Sequence, residues 1–388
     1  MKVGYFVETP VEHNLTGGVR SFFNLVEVLL QKGVEPYVVT SEEWDFTEKL
    51  KELGVPFLTV KMLRPFVGVS NRVKFAREKY WIKTLVNRRA EIRATKWLKM
   101  NGIELIHINS QFAGIVGNKV AKNLNIPCVY HIREFLEEGF GVKFYKDKLL
   151  YDYVAKSNAL IAISQSVKKY YEHAFKRDLY LVYNGLPVNE NTYCEYRTRF
   201  LGDKINIAII GRVTQAKGQL EIVKAVNELI KKYHHDNICL HIIGYEGVDA
   251  YELELKKFVE EKKIEEYVVF HPFTSTPLDI SQNCDIGVLC SKSEAFGRVT
   301  VEYMLASLFV IGSNTGGTLE IIEDNQTGLL YNLGDVQNLA EKIDWVIRNP
   351  QRANGMLKKG QERAVELYSI ESTAKKVLEI YKGLVKEE

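Results

Sequence analysis

Residues 284–306 read CDIGVLCSKSEAFGRVTVEYMLA, and this stretch decides the fold. The apolar run Cys284–Cys290 has the length and composition of a buried strand, and Val299–Ala306 predicts a buried helix. Glu294 precedes that helix and Glu302 lies in its second turn. A helix N-terminus offers free N–H groups and partial positive charge, so strand, loop and helix in this order predict a site for an anion such as phosphate.

The same alternation of strand and helix runs along the whole chain. At 388 residues the chain is too long for one ordinary core, which predicts two domains. The polar stretch 188–204 lacks periodicity and is predicted to be the linker between them. Strand and helix alternating twice over predict two parallel sheets with helices on both faces. The predicted strands are residues 3–7, 36–40, 105–109, 127–132, 159–163, 180–183, 205–210, 238–243, 267–270, 284–290, 309–312 and 328–331.

Composition indicates an ordinary globular protein. Hydrophobic residues make up 46% of the chain, charged residues 26%, and the net charge is +3. The five cysteines show no C-x-x-C spacing, so we expect buried thiols in a reducing compartment and no metal site. No long apolar region follows the first strand and no run approaches the roughly 20 residues of a membrane span, so we expect neither a signal peptide nor a transmembrane helix.

Two cations follow the strand 205–210. Arg212 comes directly after Gly211, and Lys217 precedes Gly218. Open parallel sheets bind ligands at the carboxyl ends of their strands, where Arg212 could fork onto phosphate oxygens and Lys217 could add a point charge. Ordinary solvated surface charge is the alternative for this pair.

The N-terminal half holds further candidates. Gly17 and Gly18 precede an apolar helix, and glycines there allow close backbone approach to a ligand. They do not form G-x-G-x-x-G, which argues against a plain dinucleotide-binding domain. His131 ends a predicted strand and is either structural or a site residue. Arg133 and Glu134 either contact substrate or pair with each other.

Residues 61–99 form a basic segment that the rest of the chain does not share. It holds twelve Lys and Arg against two Glu, with Phe, Tyr and Trp interleaved. A basic, aromatic, helix-prone stretch is typical of a membrane-surface element. A solvated basic helix pair is the alternative. Nucleic acid is disfavoured, because no nucleic-acid motif accompanies the charge.

Taken in order, these segments resemble the retaining GT-B glycosyltransferases of family GT4, and the resemblance covers essentially the whole chain. Each motif is weak by itself, but the order of all eight is specific. The motifs are Gly17-Gly18, His131, Asn184-Gly185, Gly211-Arg212, Lys217-Gly218, Glu294 to Glu302, Gly316-Gly317 and Thr327-Gly328.

The resemblance implies an α/β, GT-B architecture of two Rossmann-like, doubly wound parallel-sheet domains that face each other across a cleft. Residues 1–190 would form the acceptor domain and residues 204–369 the donor domain. The last helix, about 370–388, would pack back onto the first domain.

The resemblance also implies roles for individual residues. Arg212 and Lys217 would hold the diphosphate of a nucleotide-sugar, Glu302 the ribose and Glu294 the donor sugar. His131 would lie in the cleft near that sugar, which makes Glu294 and His131 the expected catalytic residues. The remaining donor-binding residues, through their backbone, would be Gly17, Gly18, Phe296, Gly297 and Val299.

The function expected from this resemblance is a retaining hexosyltransferase. It would move a sugar from a UDP-sugar, or less favourably a GDP-sugar, to a glycan or lipid-linked glycan in cell-surface polysaccharide assembly. No D-x-D occurs in the sequence, so we expect no metal, and no cofactor is expected. We expect a cytoplasmic protein, peripheral on the inner face of the plasma membrane if segment 61–99 docks there. The alternatives are a nucleotide-sugar epimerase or hydrolase of the same fold, and a non-catalytic partner of another transferase.

The chain departs from the family pattern at two places. Gly17-Gly18 continues as Val19-Arg20 where the family often has an acid, which leaves the role of Arg20 open. The family's usual Gly-x-Pro-Val after the Glu302 helix is replaced by the stretch 307–310, which reads SLFV and indicates a packing difference.

Overall fold

The computed structural model of the chain contains two compact α/β units. The first comprises Met1–Gly185 with Ile370–Glu388, and the second comprises Leu186–Ser369. Each unit has its own parallel sheet, so the predicted fold class is confirmed. The structure describes residues 1–7, 17–43, 45–63, 68–69, 76–109, 113–135, 143–144, 147–189, 192–200, 202, 204–247, 250–292 and 294–385.

The first unit is built on a parallel sheet. Within the described residues its strands are β1 (Lys2–Phe6), β2 (Glu35–Thr40), β3 (Phe57–Thr59), β4 (Gly68–Val69), β5 (Leu105–Ile108), β6 (Cys128–Ile132), β7 (Lys143–Phe144), β8 (Ala159–Ala162) and β9 (Tyr180–Leu181). Seven of these pair in parallel in the order β3-β2-β1-β5-β6-β8-β9, and β4 pairs with β7 in antiparallel fashion. The chain therefore winds outward in both directions from β1 and β5.

Helices connect these strands and bury one apolar face each. α1 places Val19, Phe22, Phe23, Val26 and Leu29 in the core at the spacing of one helix face. Full burial of a Phe side chain stabilises the fold by roughly 1.5–3 kcal/mol. The helices are α1 (Gly17–Gln31), α2 (Asp45–Glu52), α3 (Ala76–Met100), α4 (Gly114–Leu124), α5 (Asp147–Ala155) and α6 (Gln165–Phe175).

The second unit is also wound around a parallel sheet. Its described strands are β10 (Ile205–Ile210), β11 (Ile238–Tyr245), β12 (Val268–Pro272), β13 (Ile286–Leu289), β14 (Phe309–Ser313) and β15 (Leu329–Tyr331). They pair in parallel in the order β12-β11-β10-β13-β14-β15. The chain runs outward from β10 on one side and from β13 on the other, so the carboxyl ends of these two strands form the topological switch point.

The helices of the second unit cover its sheet and bury a core of Ile, Val and Leu side chains. They are α7 (Gln219–Lys231), α8 (Ala250–Lys262), α9 (Pro277–Ser281), α10 (Arg298–Leu305), α11 (Thr318–Ile321), α12 (Val336–Arg348) and α13 (Pro350–Tyr368). Four of the five cysteines are buried and Cys194 is half-buried. Among the helices of the described ranges, none is long and apolar enough to cross a membrane.

The stretch predicted to be a linker belongs to the second unit. Arg199 is buried there and donates to the main-chain oxygens of Ser307, Gln282 and Ala306 at 2.8–3.2 Å. The guanidinium thus fixes residues 192–200 against α10, and these residues are packed structure despite their lack of periodicity.

The C-terminal helix α14 (Ile370–Leu384) belongs to the first unit and packs against α1. Tyr381 on this helix is fully buried, and its hydroxyl lies 3.2 Å from the hydroxyl of Tyr5 on β1. Where the chain enters α14, Thr373 donates to the main-chain oxygen of Tyr183 at 2.8 Å. The first unit is therefore completed by the last helix of the chain.

Candidate functional site

The candidate site begins at the switch point of the second sheet. The loop after β10 carries Arg212 and Lys217, and the loop after β13 carries Glu294. The two loops touch through their backbones, because the Lys292 N–H donates to the Ala216 oxygen at 2.9 Å. Gly218 has φ +70°, and a Cβ there would overlap the Cys290 carbonyl oxygen. Both loops are therefore held at the edge where parallel sheets bind ligands.

An ion pair joins two of the predicted residues across these loops. The Lys217 ammonium donates to Glu294 Oε1. Lys217 is more exposed than Glu294, whose side chain is only 17% exposed. A cation and a carboxylate from distant parts of the sequence thus meet at one point, which the sequence could not show.

The Gly316-Gly317 pair packs directly on the loop that carries Glu294. The Gly317 N–H donates to the Glu294 main-chain oxygen at 2.7 Å. A Cβ at Gly317 would lie 2.6 Å from the Cα of Phe296, and one at Gly316 would lie 2.9 Å from the Glu294 nitrogen. Glycines are therefore required here for backbone packing, and they set the position of the Glu294 loop.

Helix α10 begins where the sequence predicts it. Gly297 is its N-cap with φ +94°, a left-handed conformation that favours glycine. The main chain at Gly297 and Val299 lies at the positive end of this helix, where free N–H groups can meet an anion. The side chain of Phe296 is buried and its ring meets that of Tyr368 edge to face at 5.8 Å. Phe296 therefore packs through its side chain and can offer a ligand only its backbone.

Glu302 lies in the second turn of α10 and is nearly buried. Arg298 Nε donates to Glu302 Oε1 at 2.7 Å, while Nη1 of Arg298 is buried without a partner among the described residues. Arg298 is a site residue that was not predicted from the sequence, although Arg and Glu four residues apart on a helix commonly pair. The two predicted carboxylates are thus each held by a cation.

Tyr303 fixes α10 on the sheet and was also missed. The Ile210 N–H donates to the Tyr303 hydroxyl at 2.8 Å, at the end of β10. A Cβ at Gly287 of β13 would lie 2.8 Å from a ring carbon of Tyr303, so Gly287 leaves the space that the ring occupies. A glycine inside a buried strand was the available signal, because such a residue often marks close approach of another group.

Arg212 directs an exposed side chain from the loop after β10. Its main-chain oxygen accepts from Gln219 Nε2 at 3.1 Å, and Gln219 Oε1 accepts from the Thr214 N–H at 3.3 Å. The buried Gln219 therefore shapes the loop that presents the two cations.

In the first unit, Gly17 and Gly18 are the first residues of α1. Both are exposed, and a Cβ at either position would meet no atom within 4 Å in the described part of the chain. Ser21 donates to the Gly17 oxygen at 2.9 Å. Thr16, which precedes the glycines, lies outside the described residues, so the predicted ligand approach at this helix N-terminus stays a prediction.

His131 lies on β6 with its side chain fully buried. Its ring is 5.4 Å from that of His107 on β5, and its Nδ1 is 3.3 Å from Nη2 of Arg133. Arg133 also bonds Asn109 and Asn184, and Glu134 is not among its partners. Burial, the Arg133 charge and the neighbouring His107 hold the pKa of His131 well below its ordinary value.

Within the residues that the structure describes, no three His, Cys, Asp or Glu side chains gather into a metal site. The expected metal-independent chemistry therefore rests on the sequence, which contains no D-x-D.

The comparisons with known proteins match both units. Residues 15–190 match the family model described as Glycosyltransferase Family 4, and residues 197–363 match the model described as Glycosyl transferases group 1. The capsular polysaccharide biosynthesis glycosyltransferase CapM of Staphylococcus aureus is 23% identical over 304 residues, which cover 73% of this chain and 77% of CapM.

One further relative and one solved structure are also similar to this chain. The poly(ribitol-phosphate) alpha-N-acetylglucosaminyltransferase of Staphylococcus aureus strain COL is 25% identical over 267 residues, which cover 68% of this chain and 51% of that protein. The crystal structure of HepE from Anabaena in complex with UDP has a TM-score of 0.79 to this chain at 19% identity, covering 99% of this chain and all of HepE. At that identity the structural match shows the fold alone.

Proposed function

Because the chain belongs to glycosyltransferase family 4 and is a glycosyltransferase of the GT-B fold, we propose that it transfers a hexose from a UDP-sugar to a glycan with retention of configuration. The product would be an α-linked glycan of a cell-surface polysaccharide, a role supported by the name of the relative CapM. The observation that carries the proposal is the meeting of Lys217 with Glu294 beside α10, at the switch point of the second sheet.

The donor would bind along this edge with its charges matched. Arg212, Lys217 and the N-terminus of α10 supply positive charge for the diphosphate. Glu302 would accept hydrogen bonds from the ribose hydroxyls, and Glu294 from those of the sugar. Lys217 is the more exposed partner of its ion pair. It would therefore turn from Glu294 to the phosphate when the donor enters.

The reaction would proceed in one step on one face of the sugar, without a covalent enzyme intermediate. The bond between sugar C1 and the diphosphate oxygen breaks, and the acceptor oxygen bonds to C1 on the same face. The acceptor proton passes to the departing phosphate. Arg212, Lys217 and the helix N-terminus stabilise the negative charge that develops on the leaving group.

The experiment that tests this function is a donor screen followed by product analysis. The full-length chain is first tested for thermal stabilisation by UDP, GDP, ADP and their sugars. We expect stabilisation by UDP above GDP and ADP, because ligand binding raises the stability of the folded state. The stabilising donor is then incubated with glycan acceptors, and the anomeric configuration of the product is read by NMR. An α-linked product from an α-linked donor supports retention, whereas a β-linked product, free sugar only or an epimerised donor contradicts the proposal.

We further propose that α3 docks the enzyme on an anionic membrane. Trp81, Ile82, Leu85 and Ile92 are 53–67% exposed on this helix. Trp81, Leu85 and Ile92 are spaced by four and seven residues, so they share one face. Arg89, Lys96 and Lys99 are exposed and follow on the same face. Exposed apolar side chains surrounded by cations suit a lipid interface better than water.

Lipid charge and helix charge are complementary on this face. Each basic residue near an anionic leaflet contributes roughly 1 kcal/mol, and apolar side chains add interfacial burial. The leaflet would be the cytoplasmic one, whose surface is negative. A lipid-linked glycan would then be the natural acceptor. Residues 64–67 and 70–75 of the predicted basic segment lie outside the described residues.

Vesicle flotation tests the docking. The wild-type chain should float with anionic vesicles, lose binding steeply with salt, and not float with neutral vesicles. A variant with Trp81→Ser, Leu85→Ser and Ile92→Ser should lose flotation. Leu253→Ser with Phe273→Ser removes side chains of similar exposure from the second unit and should leave flotation unchanged. Equal flotation of both variants, or none with any vesicle, would overturn the membrane proposal.

A further inference from the structure

The buried ring of His131 has one nitrogen engaged and one without a partner. Nδ1 lies 3.3 Å from Nη2 of Arg133. Nε2 is buried and has no hydrogen-bond partner within the described residues. A buried nitrogen without a partner costs free energy, so an unpaired site in a folded protein requires an explanation.

Arg133 is held by a set of neutral acceptors. Its Nε and Nη2 donate to Asn109 Oδ1 at 3.1 and 2.8 Å, and its Nη1 donates to Asn184 Oδ1 at 2.6 Å. With the His131 contact, four of the five N–H groups of the guanidinium have partners. No carboxylate is among these partners. Burial lowers the pKa of Arg133 to about 10, while the nearby Tyr381 hydroxyl raises it, so the group remains charged at neutral pH.

The donor-only chemistry of arginine fixes the tautomer of its neighbour. A guanidinium has no acceptor, so His131 Nδ1 must accept from Arg133 with its lone pair. A neutral imidazole carries one proton, which must then be on Nε2. We propose that Arg133 is a positioning residue that holds His131 as the neutral Nε2–H tautomer, so that Nε2 is a hydrogen-bond donor and not an acceptor.

This assignment excludes His131 as a general base. Its one lone pair is occupied by Arg133, and Nε2 carries a proton. Burial lowers the pKa of the ring most, and the Arg133 charge and the neighbouring His107 lower it further. His131 therefore stays neutral through the range in which an ordinary histidine titrates, about pH 5 to 8. A second positive charge on the ring would meet the guanidinium at contact distance.

The position of Arg133, and with it the tautomer of His131, is set by loops of the first sheet. Asn109 follows β5, Arg133 follows β6, and Asn184 follows β9, so three loops of the first sheet converge on one guanidinium. Arginine presents its N–H groups in a rigid fork, and lysine could not reach both amides and the imidazole with fixed directions. The part that the Nε2–H group plays in turnover rests on the proposed function, whereas the tautomer does not.

NMR of the full-length chain labelled with 15N-histidine tests the tautomer directly. The His131 signals are assigned by their loss in His131→Gln. We expect Nδ1 unprotonated and Nε2 protonated at pH 7, with no titration between pH 5.5 and 8. In Arg133→Gln we expect a mixed tautomer, because a glutamine amide can accept from an Nδ1–H group as well as donate to Nδ1. Arg177→Gln is the matched control, since Arg177 bonds main-chain oxygens of residues 155–158 in the same unit, and it should leave His131 unchanged.

Either of two NMR results would overturn the proposal. One is a wild-type His131 that is protonated on Nδ1 or doubly protonated at pH 7. The other is an Arg133→Gln protein whose His131 signals match the wild type. If Arg133→Gln does not fold, the wild-type spectrum and Arg133→Lys, which keeps the charge but loses the fork, decide the same question.

Turnover supplies a second and separate test. Removing the partner that orients a metal-bound histidine typically costs 10- to 100-fold in affinity or activity, and a loss of this order is expected for His131. We expect kcat of Arg133→Gln to fall by about that much, with KM for the donor changed less than about threefold. His131→Gln should keep at least about tenfold more activity than His131→Ala, because the glutamine amide can donate near the position of Nε2. Equal loss in both His131 variants would refute the donor role. Absence of transfer in every protein would refute the proposed function and leave the NMR result standing.

Discussion

The Gly317→Ala substitution tests whether the glycine pair sets the position of the loop that carries Glu294. Gly317 has φ −65° and ψ −20°, a right-handed conformation that alanine adopts without strain. The new Cβ would lie 2.6 Å from the Cα of Phe296. Nonbonded carbon atoms sit about 3.5–4.0 Å apart, so the loop or the glycine pair must retreat by about 1 Å. Glu294 moves with that loop, because its main-chain oxygen accepts the Gly317 N–H at 2.7 Å.

A displacement of 1 Å in a positioning element can cost about 100-fold in rate. We therefore expect the donor kcat/KM of Gly317→Ala to fall by about 100-fold, measured by release of nucleoside diphosphate. Overpacking of this kind costs about 1–3 kcal/mol of stability, so thermal unfolding followed by circular dichroism shows whether the protein remains folded at the assay temperature.

Gly355→Ala is the matched control for this substitution. Gly355 lies in α13, and a Cβ there would meet no atom within 4 Å. Alanine in place of a helical glycine stabilises by roughly 0.5–1 kcal/mol, and activity should be unchanged. A folded Gly317→Ala protein with kcat/KM within twofold of wild type would refute the argument that the glycine pair sets the Glu294 loop.

The remaining predictions concern binding, turnover, metal and pH. Glu302→Gln should mainly weaken nucleotide binding and Glu294→Gln should mainly lower kcat; a change only in KM for both would show that this division is wrong. Arg212→Ala should weaken UDP binding by about 2 kcal/mol in calorimetry, and unchanged affinity would remove it from the diphosphate site. Activity should survive EDTA, and loss that Mg²⁺ or Mn²⁺ restores would contradict metal-independent transfer. Burial and the Arg133 charge lower the pKa of His107 to about 3. Below about pH 6.5 the unfolded chain therefore binds a proton that the folded protein does not bind. The free energy of unfolding should fall by about 1.4 kcal/mol per pH unit for each such histidine, which lowers the unfolding temperature as the pH falls.

Much of the fold could be predicted from the sequence because its strands are short and continuously apolar. β10 was placed within its observed bounds, Ile205–Ile210, and β13 lies inside the predicted run 284–290. β3 was missed, because Phe57–Thr59 is a three-residue edge strand without a buried pattern. The sequence predicts a linker at 188–204 because hydrophobic periodicity detects only helices and strands. It cannot detect an irregular segment that the hydrogen bonds of the buried Arg199 hold in place.

The candidate site was predictable in its residue types and less so in its contacts. Glu294 and Lys217 are 77 residues apart in the sequence, and only the sheet order brings them together. Arg298 was overlooked beside the two glutamates, although its spacing to Glu302 is the ordinary helical pairing distance. The role of Arg133 depends on Asn109 and Asn184 from separate loops and on His131 of β6, and no local pattern encodes such a convergence.

Amide hydrogen exchange with and without UDP tests the central claim most directly, that the nucleotide-sugar binds at the switch point of the second sheet. The chain is exchanged alone and with saturating UDP, and protection is mapped onto peptides of both units. We expect slower exchange in the residues 211–218 and 294–302, because their N–H groups and flanking charges would contact the diphosphate and ribose. Protection confined to peptides outside the second unit, or none at these two loops at saturating UDP, would contradict the account.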